Sequence, residues 1–574
     1  MNQKLNKFLK IILRALCIIA IVAYAYSLTP KTFQNDTFYT IKIGEFISEN
    51  TEHVSDLLPW NKGLDMKDHY SFHNLPYTYP HWLYDFFTYK IYNIGNFQGV
   101  YWATCILAVI LALLIYFINL RWTKNDIVSF LISALSIYGL KNFIAARAQL
   151  VTFILFVLTI FGIEEFLKTK KLRYAILLIV IPILIANLHC AVWPFYFILY
   201  LPYIAEYLCV ILATANYGKI IKKFQLFYKT KIKKNKISKL QLNIEKNKIK
   251  KLEEKHNEKV QKNIAKTNKL EIVKEKNIKI LILIMILCLF TGLLTPIKDT
   301  VYTYLVKTTA GNTTQSISEH LPLTLAENIN MVIILVMVFG ILIFSKCKIK
   351  IRDFFMLMGL IALSFMSQRQ VSMLVLIGNF ILARLVCDTI DNIKKLFKDN
   401  DNKQEKQLIN AILIVICVTI FGTLSVCNYL DKKNDVFIDE SSYPVAAAEY
   451  INRTLIPEVG KENLRLYNEY NYGSYLLFSG IPVFIDSRAD LYSPEFNGEK
   501  DEEGDYVGND IFSDFIGISN LSRNYEDKFE EYNITHAITY SNSKLNSLLV
   551  RDDNYVEIYS DSHFTIYERV NANE

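Results

Sequence analysis

The stretch Phe8-Leu9-Lys10-Ile11-Ile12-Leu13-Arg14-Ala15-Leu16-Cys17-Ile18-Ile19-Ala20-Ile21-Val22-Ala23-Tyr24-Ala25-Tyr26-Ser27-Leu28 decides the fold, together with Asn35-Asp36-Thr37-Phe38-Tyr39-Thr40-Ile41-Lys42-Ile43-Gly44-Glu45-Phe46-Ile47 just after it. The first is an apolar run matching the roughly 20 residues a helix needs to cross a bilayer core of about 30 Å. Ala23-Tyr24-Ala25 loosely fits a signal-cleavage site, but the length of the run and its many successors favour an uncleaved first span. The second stretch reads as a short amphipathic helix entered from Asp36, which lies eight residues past Leu28 and so near the headgroup level.

Ten further runs follow, at about Val100–Leu120, Asp126–Leu140, Gln149–Phe166, Tyr174–Leu188, Ala191–Ala213, Ile278–Thr295, Ile329–Phe344, Phe354–Met366, Val371–Cys387 and Ile409–Cys427. A 52% apolar content and a mean hydropathy of +0.21 in 574 residues agree with them. The expectation is a membrane all-α bundle of about eleven spans over residues 1–428, followed by a soluble α/β domain at 430–574. Within the bundle, residues 29–97 form a long first outer loop and 217–278 a Lys-rich cytoplasmic insertion.

Charge sets the expected orientation. With the N-terminus cytoplasmic, alternate loops hold Arg121 and Lys124, the basic run 168–173, the insertion, Lys346–Arg352 and Lys394–Lys406, while the opposite loops are poor in Lys and Arg. The net charge of +8 conceals a split, because about 12 Lys and Arg face about 28 Asp and Glu from Leu430 onward. That segment is near −16 and the rest near +24, so the basic pI says nothing of nucleic acid, and none is expected as a partner. The chain is therefore expected to be a multi-pass plasma-membrane protein whose acidic C-terminal domain is extracytoplasmic. Residues 219–279 carry about 21 Lys against 6 Glu, with Ile237, Leu240, Ile244, Leu252, Val260 and Ile264 at helical spacing. They read as a solvated helical loop or as a helix on anionic lipid. The nine cysteines lie in or beside apolar runs and show no CxxC pair, so packing is their expected role.

Polar residues that cost energy at membrane depth gather at the outer ends of spans. They are Arg147 and Gln149, His189, Glu319 and His320, and Arg369 beside Gln368, which together suggest one outward-facing polar cavity. His81-Trp82-Leu83-Tyr84-Asp85-Phe86-Phe87 is a second amphipathic piece of the first outer loop. Asp36 is either a helix N-cap, a common use of Asp, or a functional carboxylate.

Asp36-Thr37-Phe38-Tyr39 through Gly44-Glu45, Asp68-His69-Tyr70-Ser71-Phe72, Trp82-Leu83-Tyr84-Asp85, Arg147-Ala148-Gln149 and Asn187-Leu188-His189 occur in order, then Tyr472-Gly473-Ser474-Tyr475-Leu476 and Ile485-Asp486-Ser487-Arg488-Ala489-Asp490-Leu491-Tyr492. With an acidic residue just beyond the first span, this pattern resembles the GT-C superfamily of polytopic glycosyltransferases. It looks closest to a bacterial group within that frame, over nearly the whole chain except the insertion. The group commonly has His near the position of Thr40, and its His before Trp-Leu meets His81 only with a one-residue shift, so no histidine is given a metal.

The resemblance implies a transferase using a polyprenyl-phosphate sugar at the outer face, with a glycan, lipid or protein as acceptor. On that reading Asp36 is the base, Asp85 a second acidic residue able to position a divalent cation, and no other cofactor is implied. Arg147 and Arg369 would hold the donor phosphate, with Gln149, His189, Glu319 and His320 lining the cavity. Asp486, Arg488 and Asp490 either form an internal salt-bridge cluster or face the cavity and bind acceptor. Two rivals stand beside it, a lipid-linked-glycan transporter and a non-catalytic protein that binds such glycans. A transporter should show charge at mid-bilayer and paired repeats with broken helices, and neither is visible. Soluble chemistries find no motif here: no GxxxxGK[ST], no GxSxG with a matching His, no HExxH.

Overall fold

The structure is a computed structural model describing residues 3–50, 66–214, 247, 270–311, 317–326, 328–344, 347–396 and 403–570. The helical spacing sought in the Lys-rich insertion, from Ile237 to Ile264, lies outside the described residues.

Each apolar run is a helix. The membrane part comprises α1 (Gln3–Leu28), α2 (Asn35–Glu49), α3 (Trp82–Thr123), α4 (Asp126–Gly139), α5 (Ala148–Thr169), α6 (Leu172–Leu188), α7 (Trp193–Ile198) and α8 (Leu201–Thr214). It continues with α9 (Ile278–Cys288), α10 (Thr300–Ala310), α11 (Ile329–Phe344), α12 (Ile351–Met366), α13 (Val371–Leu396) and α14 (Lys403–Lys432). Six of these stretches are long and apolar enough to cross a membrane, and shorter apolar helices at 126–139, 172–188, 278–293 and 331–344 pack among them. The chain is a multi-pass membrane protein. Leu283, Phe290 and Ile416 point outward from the bundle, as lipid-facing residues do where no water rewards polarity.

The end of the segment 29–97, from Trp82, and the span after it form one helix, α3, broken at Asn96, whose φ of 49° and ψ of −151° leave the helical region. The piece before that break lies against α2, and Gly44 permits the approach: a Cβ there would sit 2.0 Å from the Asp85 carbonyl oxygen. α1 and α14 close the bundle together. Tyr24 meets Phe421 edge-on at 5.0 Å, and the Lys432 ammonium donates to the Tyr26 and Thr29 carbonyls at 2.6 and 2.8 Å, satisfying acceptors that the end of α1 leaves open.

At one end of the bundle Arg352 is buried among Glu164, Glu206 and Glu275, and Arg121 pairs with Glu165 at 2.6 Å. There β1 (Leu270–Glu271) runs parallel to β2 (Ile349–Lys350), tying the end of the insertion to the start of α12. The other end carries the acidic segment. Its strands are β3 (Leu466–Tyr467), β4 (Glu499–Lys500), β5 (Tyr506–Val507), β6 (His536–Tyr540), β7 (Tyr555–Ser560) and β8 (Phe564–Arg569). Four of them make a mixed sheet in the order β3-β6-β8-β7, with β3 parallel to β6 and the other pairs antiparallel. Its helices are α15 (Val445–Tyr450), α16 (Tyr470–Phe478), α17 (Ile511–Ser519), α18 (Tyr525–Glu531) and α19 (Lys544–Leu549). α15 is continued by a wider turn at Ile451–Leu455. A single bridge joins Val483 to Ser71, so the chain between α2 and α3 pairs directly with the acidic segment.

Candidate active site

Where the acidic segment rests on the helix ends, a cavity of about 1190 Å³ opens. Asp36, Arg147, Gln149, His189, Glu319, His320, Arg369, Arg488 and Asp490 all line it. Asp85 and Asp486 do not.

Asp36 is not a cap. Helix α2 begins at Asn35 behind Gln34, and neither end residue needs the Asp36 side chain. Placed in the first turn, where the helix dipole favours an anion, its Oδ2 pairs with the Arg147 guanidinium. Arg147 also reaches Glu319 at 3.5 Å. Both partners of the main pair keep some exposure, 18% for Asp36 and 27% for Arg147, so they look into the cavity. Burial works against the Arg147 charge, but Asp36 and Glu319 hold its pKa above the usual range. The Asp36 Oδ1 takes no hydrogen bond from a described residue. Arg147 reaches this position because it stands just before α5, whose first residue is Ala148, with an extended backbone at φ −134° and ψ 153°.

Arg369 sits in the tight turn between α12 and α13 and also lines the cavity. Its guanidinium makes no ion pair with any described residue, which leaves a cation facing the cavity beside Arg147. The His81 and His189 rings meet at 4.8 Å between centroids, tilted 59° to each other. His189 bonds Thr152 Oγ1 through Nδ1 at 2.9 Å. Burial lowers His81 to about 4 and His189 well below its ordinary value, so both rings are neutral near pH 7. His320 is lowered too, by burial and then by the Arg369 charge. Among the described residues no group of three metal-binding side chains is assembled.

Asp85 takes a different place from the one its motif implied. His81 and Tyr84 line the cavity, but the 100° step of the helix turns Asp85 onto α2, where it is fully buried. Neither of its carboxylate oxygens has a hydrogen-bond partner there.

The trio in the Ile485–Tyr492 motif divides. Arg488 is clamped: Nε and NH2 donate to Asp486 at 2.9 and 2.7 Å, and NH1 donates to Asp68 of the first outer loop at 2.8 Å. Tyr492 donates a further bond to Asp486 at 2.6 Å. The guanidinium also lies 4.8 Å from the Tyr77 ring. This is an internal cluster that fastens the acidic segment to the outer loop. Asp490 does face the cavity, where it accepts a bond from the Tyr304 hydroxyl of α10. Burial raises the Tyr304 pKa well above normal, so that hydroxyl stays protonated and donates.

Three lining residues carried no separate weight in the sequence: Tyr304, Glu469 and Tyr470. Glu469 and Tyr470 directly precede the Tyr472-Gly473 motif and were legible as its extension. Tyr304 stands on α10, in a stretch without any motif. Asn35 joins this wall to α2, its Nδ2 donating to the Tyr470 carbonyl at 2.8 Å.

No family model and no curated protein matches the chain. Among solved structures it resembles the Archaeoglobus fulgidus oligosaccharyltransferase tethered with an acceptor peptide containing the NVT sequon. That match has a TM-score of 0.50 and 12% identity, and covers 92% of this chain and 69% of that one. The Archaeoglobus fulgidus oligosaccharyltransferase AglB in complex with an inhibitory peptide and a dolichol-phosphate aligns with a TM-score of 0.48 and 11% identity, over the same shares. The likeness is one of fold alone, at 12% identity. A solved protein that it resembles in this way is the archaeal oligosaccharyltransferase AglB from Archaeoglobus fulgidus.

Proposed function

We propose that the protein is a glycosyltransferase of the outer membrane face, moving a sugar from a polyprenyl-phosphate donor to an acceptor hydroxyl. The acceptor oxygen attacks the anomeric carbon and its proton passes to Asp36. The bond from that carbon to the phosphate oxygen breaks, and the polyprenyl phosphate leaves with the electron pair. The leaving group needs little help, so a positioned base is the main catalytic requirement. A carboxylate close to the ring also stabilises oxocarbenium-like charge as it develops. Arg369 meets the phosphate, because a planar guanidinium binds phosphate oxygens in pairs. Arg147 holds the Asp36 carboxylate in place and adds positive charge on the same side.

The observation that carries this reading is the Asp36–Arg147 pair opening into a cavity that also presents Arg369. It is supported by the fold of a protein named as an oligosaccharyltransferase. About eleven spans, a cytoplasmic N-terminus, and a bundle at 1–428 carrying an extracytoplasmic α/β domain at 430–574 belong to the same proposal. Asp486 and Arg488 serve it by holding the first outer loop, and Gln149, His189, Glu319, His320 and Asp490 as cavity wall. Asp85 has no part in the chemistry.

The test is Asp36→Asn in the full-length protein in nanodiscs, assayed with a panel of polyprenyl-phosphate sugars. Turnover should fall by about 10²–10⁴-fold, the usual yield of a general base, with polyprenyl-phosphate binding retained. A folded variant with wild-type turnover removes Asp36 as base. Donor binding by the wild type without any turnover leaves a carrier-binding protein instead.

A further inference from the structure

The two sides of the cavity differ in chemistry. The helix ends supply its cations, Arg147 and Arg369, and its histidines. The acidic segment supplies one cation to the lining, Arg488, and all three of its guanidinium nitrogens are engaged by Asp68 and Asp486. What this side offers a ligand is therefore carboxylate, amide and aromatic ring. Asp490 is its carboxylate, and Glu469 adds a second acidic group. Tyr470 packs with Phe512 and Phe515 at 5.8 and 6.3 Å between centroids, and Tyr304 meets Phe496 at 4.9 Å. Behind this wall lies a segment near −16 in net charge, counted from Leu430 onward.

We infer that the acceptor is a neutral glycan, held by the aromatic and carboxylate wall of the acidic segment while the donor phosphate occupies the arginine side. This rests on the proposed transferase reading and specifies the acceptor. A carboxylate only accepts hydrogen bonds, and its two oxygens together take two neighbouring hydroxyls, which a sugar ring presents and a phosphate or carboxylate does not. The apolar face of a sugar ring lies flat on an aromatic side chain, and rings with a few convergent polar groups are the ordinary make-up of a small-ligand site. An anionic acceptor meets like charge on this wall and is rejected, which is how charge juxtaposition confers specificity. A peptide in extended form is usually held by an open strand edge. None of the lining residues lies in a strand, so that mode of binding has no template here.

The experiment uses the full-length protein in nanodiscs of uncharged lipid. Binding is read by saturation-transfer NMR with three probes: a neutral hexose or N-acetylhexosamine oligomer, the same oligomer carrying a phosphate, and an uncharged hydroxyl-bearing peptide. The neutral oligomer should bind with transfer to its ring protons, and the phosphorylated one at least about tenfold more weakly. Asp490→Asn should weaken the neutral oligomer by about tenfold. Phe512→Leu, which keeps apolar bulk but removes a ring, should weaken it as well and covers the case in which Asp490→Asn fails to fold. Preferred binding of the peptide or the phosphorylated oligomer overturns the inference, and so does the absence of any binding. A parallel titration with polyprenyl phosphate separates the two readings. Asp490→Asn should leave it unchanged, and its failure in the wild type counts against the transferase reading and not against the glycan wall.

Discussion

Replacing Arg488 by methionine tests the clamp between the first outer loop and the acidic segment. The guanidinium is 3% exposed and its two partners, Asp68 and Asp486, are 0% exposed. Removing one member of a buried pair costs about 3–5 kcal/mol, because the remaining charge stays buried without compensation. Here the carboxylates keep some support: Asp68 still accepts from the Ser71 amide at 2.8 Å, and Asp486 from the Tyr492 hydroxyl. The lower end, about 3 kcal/mol, is therefore expected, or roughly 6–12 °C in the unfolding midpoint of a unit this size.

The effect has a pH signature. In the wild type, burial raises the Asp68 carboxyl, but the Arg488 charge and the Ser71 bonds outweigh it and hold it below the ordinary 3.8. That pair thus stabilises at pH above the ordinary carboxylate value and loses its effect as pH falls through the depressed one. In Arg488→Met the cation is gone and burial dominates, so the Asp68 carboxyl shifts upward. The deficit is then full at pH 8 and should shrink toward pH 5, as the folded protein takes up protons that the unfolded chain binds less readily. Midpoints of thermal unfolding in nanodiscs, together with protease protection of the acidic segment, read it directly. An Arg488→Met midpoint equal to wild type at pH 8, or a deficit that grows toward pH 5, would refute the clamp. Adding Asp486→Asn should restore part of the loss, since the two residues share one interaction.

Gly473→Ala should destabilise the acidic segment by about 1–3 kcal/mol as overpacking, because its Cβ would stand 2.0 Å from the Ile485 carbonyl oxygen and 2.9 Å from Asp486 Cα. An unchanged unfolding midpoint would contradict that contact. Arg369→Met should weaken polyprenyl-phosphate binding by about 10–100-fold, the worth of a charged hydrogen bond, and a titration showing equal affinity would remove Arg369 from the donor site. Glu469 is raised by burial to about 7. Between the ordinary 4.5 and about 7 the folded protein holds a proton that the unfolded chain releases, so stability should fall as pH rises through that window. Glu469→Gln should flatten that part of the unfolding profile, and an unaltered slope would count against the assignment.

Local properties were legible without coordinates. Apolar run length predicts where helices lie because the backbone of a spanning segment must satisfy its own hydrogen bonds, and every run from Phe8 onward is helical. The clustering of Arg147, His189, Glu319 and Arg369 followed from their shared position at helix ends, and one cavity does collect them. What needed the third dimension was direction and partnership. Asp36 and Arg147 are 111 residues apart in the chain, so no spacing rule could join them. Asp85 shares a motif with the cavity residue Tyr84, yet one helical step turns it onto α2. Asp486, Arg488 and Asp490 look equivalent in the sequence, where all three share one motif. The backbone instead enters a short turn of helix at Ala489; Arg488 bonds both Asp486 and Asp68, and Asp490 faces Tyr304. Sequence determines which residues are costly to bury. Only the packing of distant segments decides which partner makes that burial affordable, because charge compensation depends on distances of a few ångströms that chain separation does not encode.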